Sequence, residues 1–515
     1  MTIETTEERG ATARGVWPRP KVLHASGVLV GAAVLGATGQ LLFFGVGLGL
    51  NFPVAITLLV AGGWIVRREP RVPALDAWLG PAAVGFAAFA AIRSDPNLVA
   101  LDILTALALA GGALASYGGH MVVARSFGGL LGLAVSAIGW GATGAIPAIA
   151  GARVVVPSRS SVARVASPFL PVVRGVLIAI PLLLVFVALF ASADAVFSRL
   201  MEDLFRFDVE IGDIGWRIVL AIVIAWLAAG GLAFAAAASE DGAEAAPTTT
   251  RVVGTTELVT ILVSVNLLFV VFVALQGAYL FGGLDTLATT GLTYAGYARR
   301  GFFELVVVAI LAGGLIITAE QFARHRSRLL IVSAVALAIQ TGAVLVSAML
   351  RLRLYQEAYG WTELRLYVLS TIIVLGVTLL ALVVALASDR VRWMGHVLIV
   401  AALSTGMGLN FIGPVRFITE QNVARVVDPG LVPPNGRSGL DVDYASSLGD
   451  DAVPALIRAL PALGSEAQRQ LGEQLRFRLD SMRRDPQLDA WQAWNAGRSA
   501  ARQALEDAVA AGTIP

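Results

Sequence analysis

The chain of 515 residues contains no cysteine and only one lysine, Lys21. The missing cysteines exclude disulfides, thiol nucleophiles and thiolate metal sites. The single lysine excludes a phosphate-binding loop of the GxxxxGK[ST] type. The four histidines form no HExxH pair, so a zinc-protease helix is excluded as well. No motif indicates catalysis, and we predict no catalytic residues, no metal site and no cofactor.

Charged residues are also scarce. They make up 14% of the chain, against about 25% in soluble domains, whereas hydrophobic residues reach 57% and the mean hydropathy is +0.76. A chain with so little polar surface cannot cover a soluble globule, so we expect it to be embedded in lipid. The net charge of +2 gives no long-range attraction to nucleic acid, and no nucleic-acid partner is expected.

Long apolar runs recur along the chain. A helix needs about 20 apolar residues to cross roughly 30 Å of hydrocarbon. Twelve such runs occur, at residues 22–44, 51–67, 75–92, 97–116, 126–149, 172–192, 215–237, 256–281, 301–319, 328–349, 366–387 and 393–412. They are too long and too evenly apolar for barrel strands, so we predict an all-α, polytopic transmembrane helix bundle of about 12 spans, within a range of roughly 11–13. Residues 126–149 are rich in glycine and form either one long tilted helix or two half-helices.

The two ends of the chain differ from the middle. Residues 1–21 are polar and are predicted to be a disordered tail, and residues 22–412 hold the helix bundle. Beyond residue 412 the chain carries eleven arginines and thirteen acidic residues, with no apolar run of span length. The prolines and glycines at 429–438 are typical of a linker. We therefore predict a linker at 413–440 and a small soluble α-helical C-terminal domain at 441–515.

The distribution of basic residues bears on orientation, because cytoplasmic loops carry an excess of lysine and arginine. With a cytoplasmic N-terminus, twelve spans place 16 basic residues on the cytoplasmic side and 11 on the other. Up to residue 149, eight basic residues fall on the cytoplasmic side and one on the opposite side. Beyond residue 149, eight fall on the cytoplasmic side and ten on the opposite side. One miscounted helix in the first half would reconcile the two tallies. We expect a cytoplasmic N-terminus, and the side of the C-terminal domain stays open.

One ionisable residue lies inside a predicted span. Asp102 occurs in the run LVALDILTALALAGG, about one and a half helical turns from the preceding loop. Ionisable residues inside membranes are costly and are candidates for a functional role. Asp102 is either a structural group, which caps a helix or pairs with Arg93, or a proton or ion site.

A second candidate site comprises two segments rich in tyrosine and arginine, GLTYAGYARRGFFEL (291–305) and RLRLYQEAYGWTELRLY (351–367). Twelve spans place both segments on the same side of the membrane, where arginine–glutamate pairs and tyrosine hydroxyls could converge. The predicted cluster contains Tyr294, Tyr297, Arg299, Arg300, Glu304, Arg351, Arg353, Tyr355, Tyr359 and Glu363. It is interpreted as a site for an anionic or polar ligand, or as a set of interfacial anchors and topology signals.

These two segments, together with DVDYASSLGDDAVPAL in the C-terminal region, resemble a family of bacterial multi-pass membrane proteins that is classed only as a domain of unknown function. The resemblance covers roughly residues 170–460. It implies a protein of the bacterial plasma membrane and brings with it no activity and no catalytic residues.

Three functions are compatible with the sequence. The first is a non-enzymatic sensor or scaffold, with membrane lipid around the bundle and a protein partner at the C-terminal domain. The second is a secondary transporter of a small polar or anionic solute, although no paired broken helices or internal repeat supports it. The third, a membrane enzyme acting on lipid, lacks any visible acid–base or nucleophile constellation.

Overall fold

The computed structural model describes residues 22–152, 212–237, 255–281, 302–323, 327–388 and 393–515, apart from residues 69, 71, 124, 126 and 434–435 within those ranges. Within this part of the chain the structure is α-helical and contains no β-strand. Among the described residues, eight helices are long and apolar enough to cross a membrane, and the apolar helices Asn51–Arg67 and Leu305–Glu320 are shorter. The chain is therefore an all-α polytopic membrane protein, as predicted.

The membrane part contains twelve described helices. They are α1 Ala25–Phe43, α2 Asn51–Arg67, α3 Leu79–Ile92, α4 Pro96–Tyr117, α5 Phe127–Thr143, α6 Ala145–Gly151, α7 Asp213–Ala236, α8 Thr255–Phe281, α9 Phe302–Phe322, α10 Arg328–Tyr359, α11 Glu363–Ala387 and α12 Met394–Ile412. Every predicted span coincides with one of them except 126–149, which is divided into two helices, and 172–192, which lies outside the described residues.

Short polar residues and glycines mark the helix ends. Asp95 accepts hydrogen bonds from the Asn97 and Leu98 N–H groups and precedes Pro96, which is the usual start of a helix. Ser327 and Thr362 cap α10 and α11 in the same way. Gly360 (φ +79°) ends α10 and Gly413 (φ +67°) separates α12 from the next helix, because only glycine adopts such backbone angles without strain.

The ends of α1, α2 and α7 define two faces of the bundle. At the face where α1 begins, here called the N-terminal face, the Leu23 N–H donates to the Ala236 carbonyl (2.9 Å) and the Arg67 guanidinium donates to the Ala237 carbonyl (3.4 Å). At the opposite face the Gly47 N–H donates to the Gln487 carbonyl (2.9 Å) of the C-terminal region. This second face is called the C-terminal face.

The predicted span at 126–149 does not cross from one face to the other. The chain breaks at Gly144, and Ala145 packs beside Ala32 and Ala229. Ala148 packs beside Val28 and other residues nearer the start of α1. The short helix α6 therefore runs back towards the N-terminal face, so the alternative of two half-helices is the correct one.

This break corrects the predicted sidedness. Helix α7 ends at the N-terminal face beside Leu23 and thus begins at the C-terminal face, together with Arg217. Helix α10 also ends at the C-terminal face, where the Arg437 N–H donates to the Ala358 carbonyl (2.9 Å). Arg351 therefore lies at the face opposite Arg67, although the count of twelve crossings placed both on one side. One miscounted helix in the first half of the chain would reconcile the two tallies of basic residues. The segment that breaks at Gly144 is that helix, because it was counted as a crossing and does not cross.

The C-terminal region contains α13 Pro414–Val427, α14 Val442–Ser447, α15 Val453–Ala459, α16 Ser465–Arg484 and α17 Ala496–Ala510. Leu456, Leu471 and Leu505 are fully buried in one core, which also includes Leu98 and Leu409 of the bundle. The stretch predicted as a linker, 413–440, contains the helix α13, and the buried side chains of that helix join the bundle to the domain.

Exposed tryptophans mark both faces, as is typical of membrane–water interfaces. At the N-terminal face they are Trp64, Trp78 and Trp393, and at the C-terminal face they are Trp216, Trp491 and Trp494. Trp491 and Trp494 belong to the C-terminal region, where the Leu50 N–H donates to the Trp494 carbonyl (3.1 Å). This edge of the domain therefore lies at the same level as the ends of α1 and α2.

The two faces predict a labelling pattern. Met121 at the N-terminal face and Phe477 in α16 are 62% and 71% exposed. Because the chain has no cysteine of its own, Met121→Cys and Phe477→Cys can each be labelled in intact cells and in inverted vesicles with a membrane-impermeant maleimide. We expect the two variants to be labelled from opposite sides of the membrane. Labelling of both from one side would contradict the path of the chain described above.

The crossing of α5 and α7 predicts a second outcome. A Cβ atom at Gly230 would overlap the Trp140 carbonyl oxygen, whereas one at Gly139 would meet nothing within 4 Å. We expect Gly230→Ala to lower the free energy of unfolding by about 1–3 kcal/mol through overpacking. The matched control Gly139→Ala should be neutral or stabilising by up to about 1 kcal/mol. Thermal unfolding in detergent micelles measures both, and equal effects would contradict the close crossing.

Candidate functional site

Only part of the predicted tyrosine–arginine cluster falls within the described residues. Four members lie outside them: Tyr294, Tyr297, Arg299 and Arg300. Glu304 lies in the first turn of α9, and its side chain is not described. The convergence of the two segments therefore stays a prediction.

The other members lie where α10 ends and α11 begins. Helix α10 has 32 residues, which span about 48 Å and exceed the roughly 30 Å of hydrocarbon. Its last turns, with Arg351, Arg353, Tyr355 and Tyr359, therefore extend the helix where the sequence predicted a loop. Arg353 pairs with Glu357 one turn away (2.9 Å) in an exposed position. Such pairs contribute little to stability.

Two arginines hold the end of α10. Arg365 donates to the Gly360 carbonyl and places its guanidinium 4.0 Å from the centre of the Tyr355 ring. Arg425 of α13 donates to the Glu357 and Ala358 carbonyls at 2.6 and 3.2 Å. Carbonyls at a helix C-terminus carry partial negative charge and lack partners within the helix. These contacts favour a structural role for this part of the predicted cluster.

A larger set of polar side chains, with Asp95, Asp102, Asn410 and Asn495 buried, lies at the C-terminal face, where the α3–α4 turn meets α11, α12 and the C-terminal domain. We call it the polar junction. Its members are Arg93, Ser94, Asp95, Asn97, Asp102, Glu363, Tyr367, Asn410, Tyr444, Asp451 and Asn495. Asp102 and Glu363 were singled out from the sequence, and both interact electrostatically with Asp95.

Asp95 lies at the centre of the junction and is 1% exposed. Besides capping α4, it accepts a hydrogen bond from the Tyr367 hydroxyl (3.4 Å). Burial, with the nearby negative charges of Glu363 and Asp451, raises the pKa of Asp95 to about 6, although the bonds from the Leu98 and Asn97 N–H groups act in the opposite direction. This carboxyl group is thus poised to titrate below neutral pH.

Glu363 connects three parts of the molecule. Its carboxylate accepts a hydrogen bond from the Asn97 side chain of α4 (2.9 Å). Its own backbone N–H, at the start of α11, donates to the Tyr444 hydroxyl of the C-terminal domain (2.9 Å). Burial raises the pKa of Tyr444 to about 12, so this hydroxyl keeps its proton at physiological pH.

The C-terminal domain also binds the α3–α4 turn directly. Asp451 accepts hydrogen bonds from the backbone N–H and the hydroxyl of Ser94, both at 3.1 Å. Asn495 donates to the Ala90 and Arg93 carbonyls at 3.0 and 2.8 Å. The Asn495 oxygen accepts from the Arg498 N–H (2.9 Å) and caps α17. One asparagine therefore closes the end of α3 and starts the last helix of the domain.

Asp102 lies deeper, fully buried between α4 and α12. It accepts a hydrogen bond from the Asn410 side chain (2.7 Å). Arg93, its expected partner, forms no ion pair with it in this region of the described structure and donates instead to the Asn410 backbone carbonyl. The two residues thus meet through Asn410.

Most of the junction was missed from the sequence. Asp95, Asn97 and Asn495 are residue types common in turns and caps, and nothing in their local sequence indicates that they meet. One usable signal was the Asp95–Pro96 pair before an apolar run, which predicts a helix start beside Asp102. Within the described residues no group of three or more histidine or acidic side chains could hold a metal ion. The junction joins helix ends through hydrogen bonds, and its buried carboxyl group at Asp95 binds a proton more tightly than an exposed one.

One comparison identifies a family. The sequence profile described as Domain of unknown function (DUF4153) matches residues 81–459, which is well over half of the chain, so the chain belongs to this family. The match confirms the resemblance to a family classed as a domain of unknown function. It begins earlier than residue 170 and includes nearly all of α3, all of α4 and every member of the polar junction except Asn495. No curated protein and no solved structure matches the chain.

The buried Asp95 predicts a pH-dependent stability. Its pKa is about 6 in the folded chain against an ordinary 3.8, so between these values only the unfolded chain releases the proton. Wild-type stability should therefore fall as the pH rises from about 4 to 6, by up to about 3 kcal/mol. Asp95→Asn keeps a good helix cap and should lose the part of this dependence that comes from Asp95, so its stability should fall less steeply than that of wild type as the pH rises from about 4 to 6.

Unfolding midpoints measured across this pH range test the prediction. Asp428→Asn is the matched control, because Asp428 is exposed and caps a short helical turn by accepting from the Gly430 N–H (3.0 Å). The control should keep the wild-type pH profile. An Asp95→Asn profile that also parallels wild type would show that Asp95 is not the group responsible.

Proposed function

We propose that this member of the DUF4153 family is a non-enzymatic sensor or scaffold component of the bacterial plasma membrane. In this function the C-terminal domain binds a protein partner, and the helix bundle sets how that domain is held. The single observation that carries the proposal is the docking of the domain on several separate helix ends of the bundle.

Within the described part of the chain, three helix connections hold the domain. The α1–α2 turn bonds to Gln487 and Trp494 through Gly47 and Leu50. The other two are the α3–α4 turn, bound by Asp451 and Asn495, and the start of α11, bound by Tyr444. A relative movement of these helices would break hydrogen bonds to the domain, so the position of the domain depends on the state of the bundle.

The distribution of basic residues supports an orientation for this function. Arg67, Arg68, Arg125 and Arg328 lie at the N-terminal face. The sequence between α9 and α10 and the sequence between α11 and α12 contain four more arginines. At the C-terminal face the described membrane helices and the α3–α4 turn carry Arg93, Arg217, Arg351, Arg353 and Arg365, and α13 adds Arg416 and Arg425. Since basic residues favour the cytoplasmic side, we place the N-terminus in the cytoplasm and the C-terminal domain outside it.

An engineered disulfide tests the coupling. A Cβ atom at Gly47 would lie 3.8 Å from the Ala493 Cβ, which is about the mean Cβ–Cβ separation in disulfides. Gly47→Cys with Ala493→Cys therefore locks the domain to the α1–α2 turn. Gly80→Cys with Ala113→Cys, at 3.9 Å, is a control lock between α3 and α4 within the bundle.

The readout is the transcript and envelope-protein profile of a bacterial strain that lacks the chain and is complemented with each variant. For a sensor, the oxidised domain lock should reproduce the profile of the deletion, reductant should reverse it, and the control lock should behave as wild type. For a scaffold, the domain lock should be neutral. Asp451→Ala with Asn495→Ala removes the side-chain hydrogen bonds between the domain and the α3–α4 turn, and this variant should reproduce the deletion. Wild-type profiles for both the lock and this double variant would overturn the proposal.

A secondary transporter of a small polar or anionic solute is the alternative, favoured by the carboxyl group of Asp102 inside α4. Transport would require Asp102 and would tolerate loss of the hydrogen bonds from the domain to the α3–α4 turn. A strain in which Asp102→Asn reproduces the deletion, while Asp451→Ala with Asn495→Ala supports the wild-type profile, would favour this function over the first.

A further inference from the structure

Two oxygen atoms in the contact between α4 and α12 lack a hydrogen-bond donor within the described part of the chain. They are Asp102 Oδ2 and Asn410 Oδ1, and both residues are fully buried. The same two side chains are already joined, because the Asn410 amide donates to Asp102 Oδ1 at 2.7 Å. Burying an acceptor without a donor is unfavourable, so two such oxygens on a pair of hydrogen-bonded side chains require an explanation.

Among the described residues, no cation neutralises Asp102 by contact. The charged and titratable groups that face it are Arg93 at the end of α3, Asp95 at the start of α4 and Tyr367 on α11, and α12 contributes the neutral Asn410. Arg93 donates to the Asn410 backbone carbonyl, and its Nε atom has no partner in the same region. An ionised Asp102 would hold a full charge in a span with one hydrogen bond, which is strongly unfavourable.

We propose that Asp102 and Asn410 form a proton-binding site. The proton resides on Asp102 Oδ2 and is donated to Asn410 Oδ1, while the Asn410 amide donates to Asp102 Oδ1. A carboxylic acid and an amide then form two complementary hydrogen bonds in one ring, and both unpartnered oxygens gain a partner from a single proton. The proton comes from water and returns to it, and no other bond changes.

The site connects α4 to α12 and lies next to the attachment of the C-terminal domain. Loss of the proton would place two oxygen acceptors against each other and weaken the contact between the helices. Arg93 is bonded to Asn410 through its side chain and to Asn495 through its backbone carbonyl. Proton release is therefore transmitted to the docking turn through two hydrogen bonds. The inference goes beyond the proposed function and does not depend on it.

Infrared spectroscopy tests the protonation directly. Full-length protein in lipid nanodiscs near neutral pH should show a C=O stretch of a protonated carboxyl group that is missing from Asp102→Asn. The difference between the two spectra isolates the contribution of Asp102 from those of the other carboxyl groups. Asp428→Asn is the matched control, because Asp428 is exposed and its replacement should leave the band of the protonated carboxyl group unchanged.

Thermal unfolding of the same samples gives a second readout. An asparagine side chain at position 102 can accept a hydrogen bond from the Asn410 amide and donate to Asn410 Oδ1 in place of the acid, so Asp102→Asn should melt near wild type. Asp102→Ala removes both hydrogen bonds and should melt earlier.

Two results would overturn the proposal. Identical infrared spectra for wild type and Asp102→Asn in the region of the protonated carboxyl group would show that Asp102 is ionised, with an ordered water bridging Arg93 Nε to the two oxygens as the remaining arrangement. A melting temperature for Asp102→Asn as low as that of Asp102→Ala would show that the negative charge, rather than the proton, stabilises the contact.

Discussion

The structure depends on one constraint: inside hydrocarbon every backbone N–H and C=O group needs a partner within the protein. Helices satisfy the constraint along their length and fail it at their ends, where four donors or four acceptors are left over. Several described polar residues of this apolar chain lie at such ends. Asp95 and Thr362 supply acceptors to helix starts, and Arg425 supplies donors to the end of α10. The polar junction is thus a set of helix ends that share their partners, and the C-terminal domain docks there because the unsatisfied groups are there.

The sequence predicted the positions of the helices well, because length and apolar composition are local properties. It did not predict where the chain turns back. A crossing helix and a returning pair have the same apolar composition, and the break at Gly144 depends on the close approach of α7 at Gly230, which only the folded chain shows. The charge tally did detect the error, since basic residues report the side of the membrane independently of helix counting. The same limit applies to the candidate site. Asp102 is conspicuous in an apolar run, whereas Asn410 and Asn495 are ordinary until the fold places them beside Asp102 and Arg93.

The contacts of the C-terminal domain differ in chemistry from those inside the bundle. Asn495 and Arg498 donate to backbone carbonyls of the α1–α2 and α3–α4 turns, and Asp451 accepts partly from a backbone N–H. Hydrogen bonds to backbone groups depend on the positions of the helix ends. They depend little on which side chains the helix ends carry. A domain held in this way follows the geometry of the bundle. This is the property that a sensor or scaffold needs, and it also explains why the docking turn contains few recognisable motif residues.

The charges at the junction determine the direction in which pH would act on it. Asp95, Glu363 and Asp451 bring three carboxyl groups to one turn, where Arg93 is engaged with a backbone carbonyl. Protonation of Asp95, whose pKa is about 6, lowers the repulsion among these groups. A proton on Asp102 removes a further negative charge from the same region and adds a hydrogen bond between α4 and α12. Both protons therefore act in one direction. Acidification tightens the junction that holds the C-terminal domain, and a rise in pH loosens it, because each proton relieves the cost of burying negative charge that no cation of the described residues contacts.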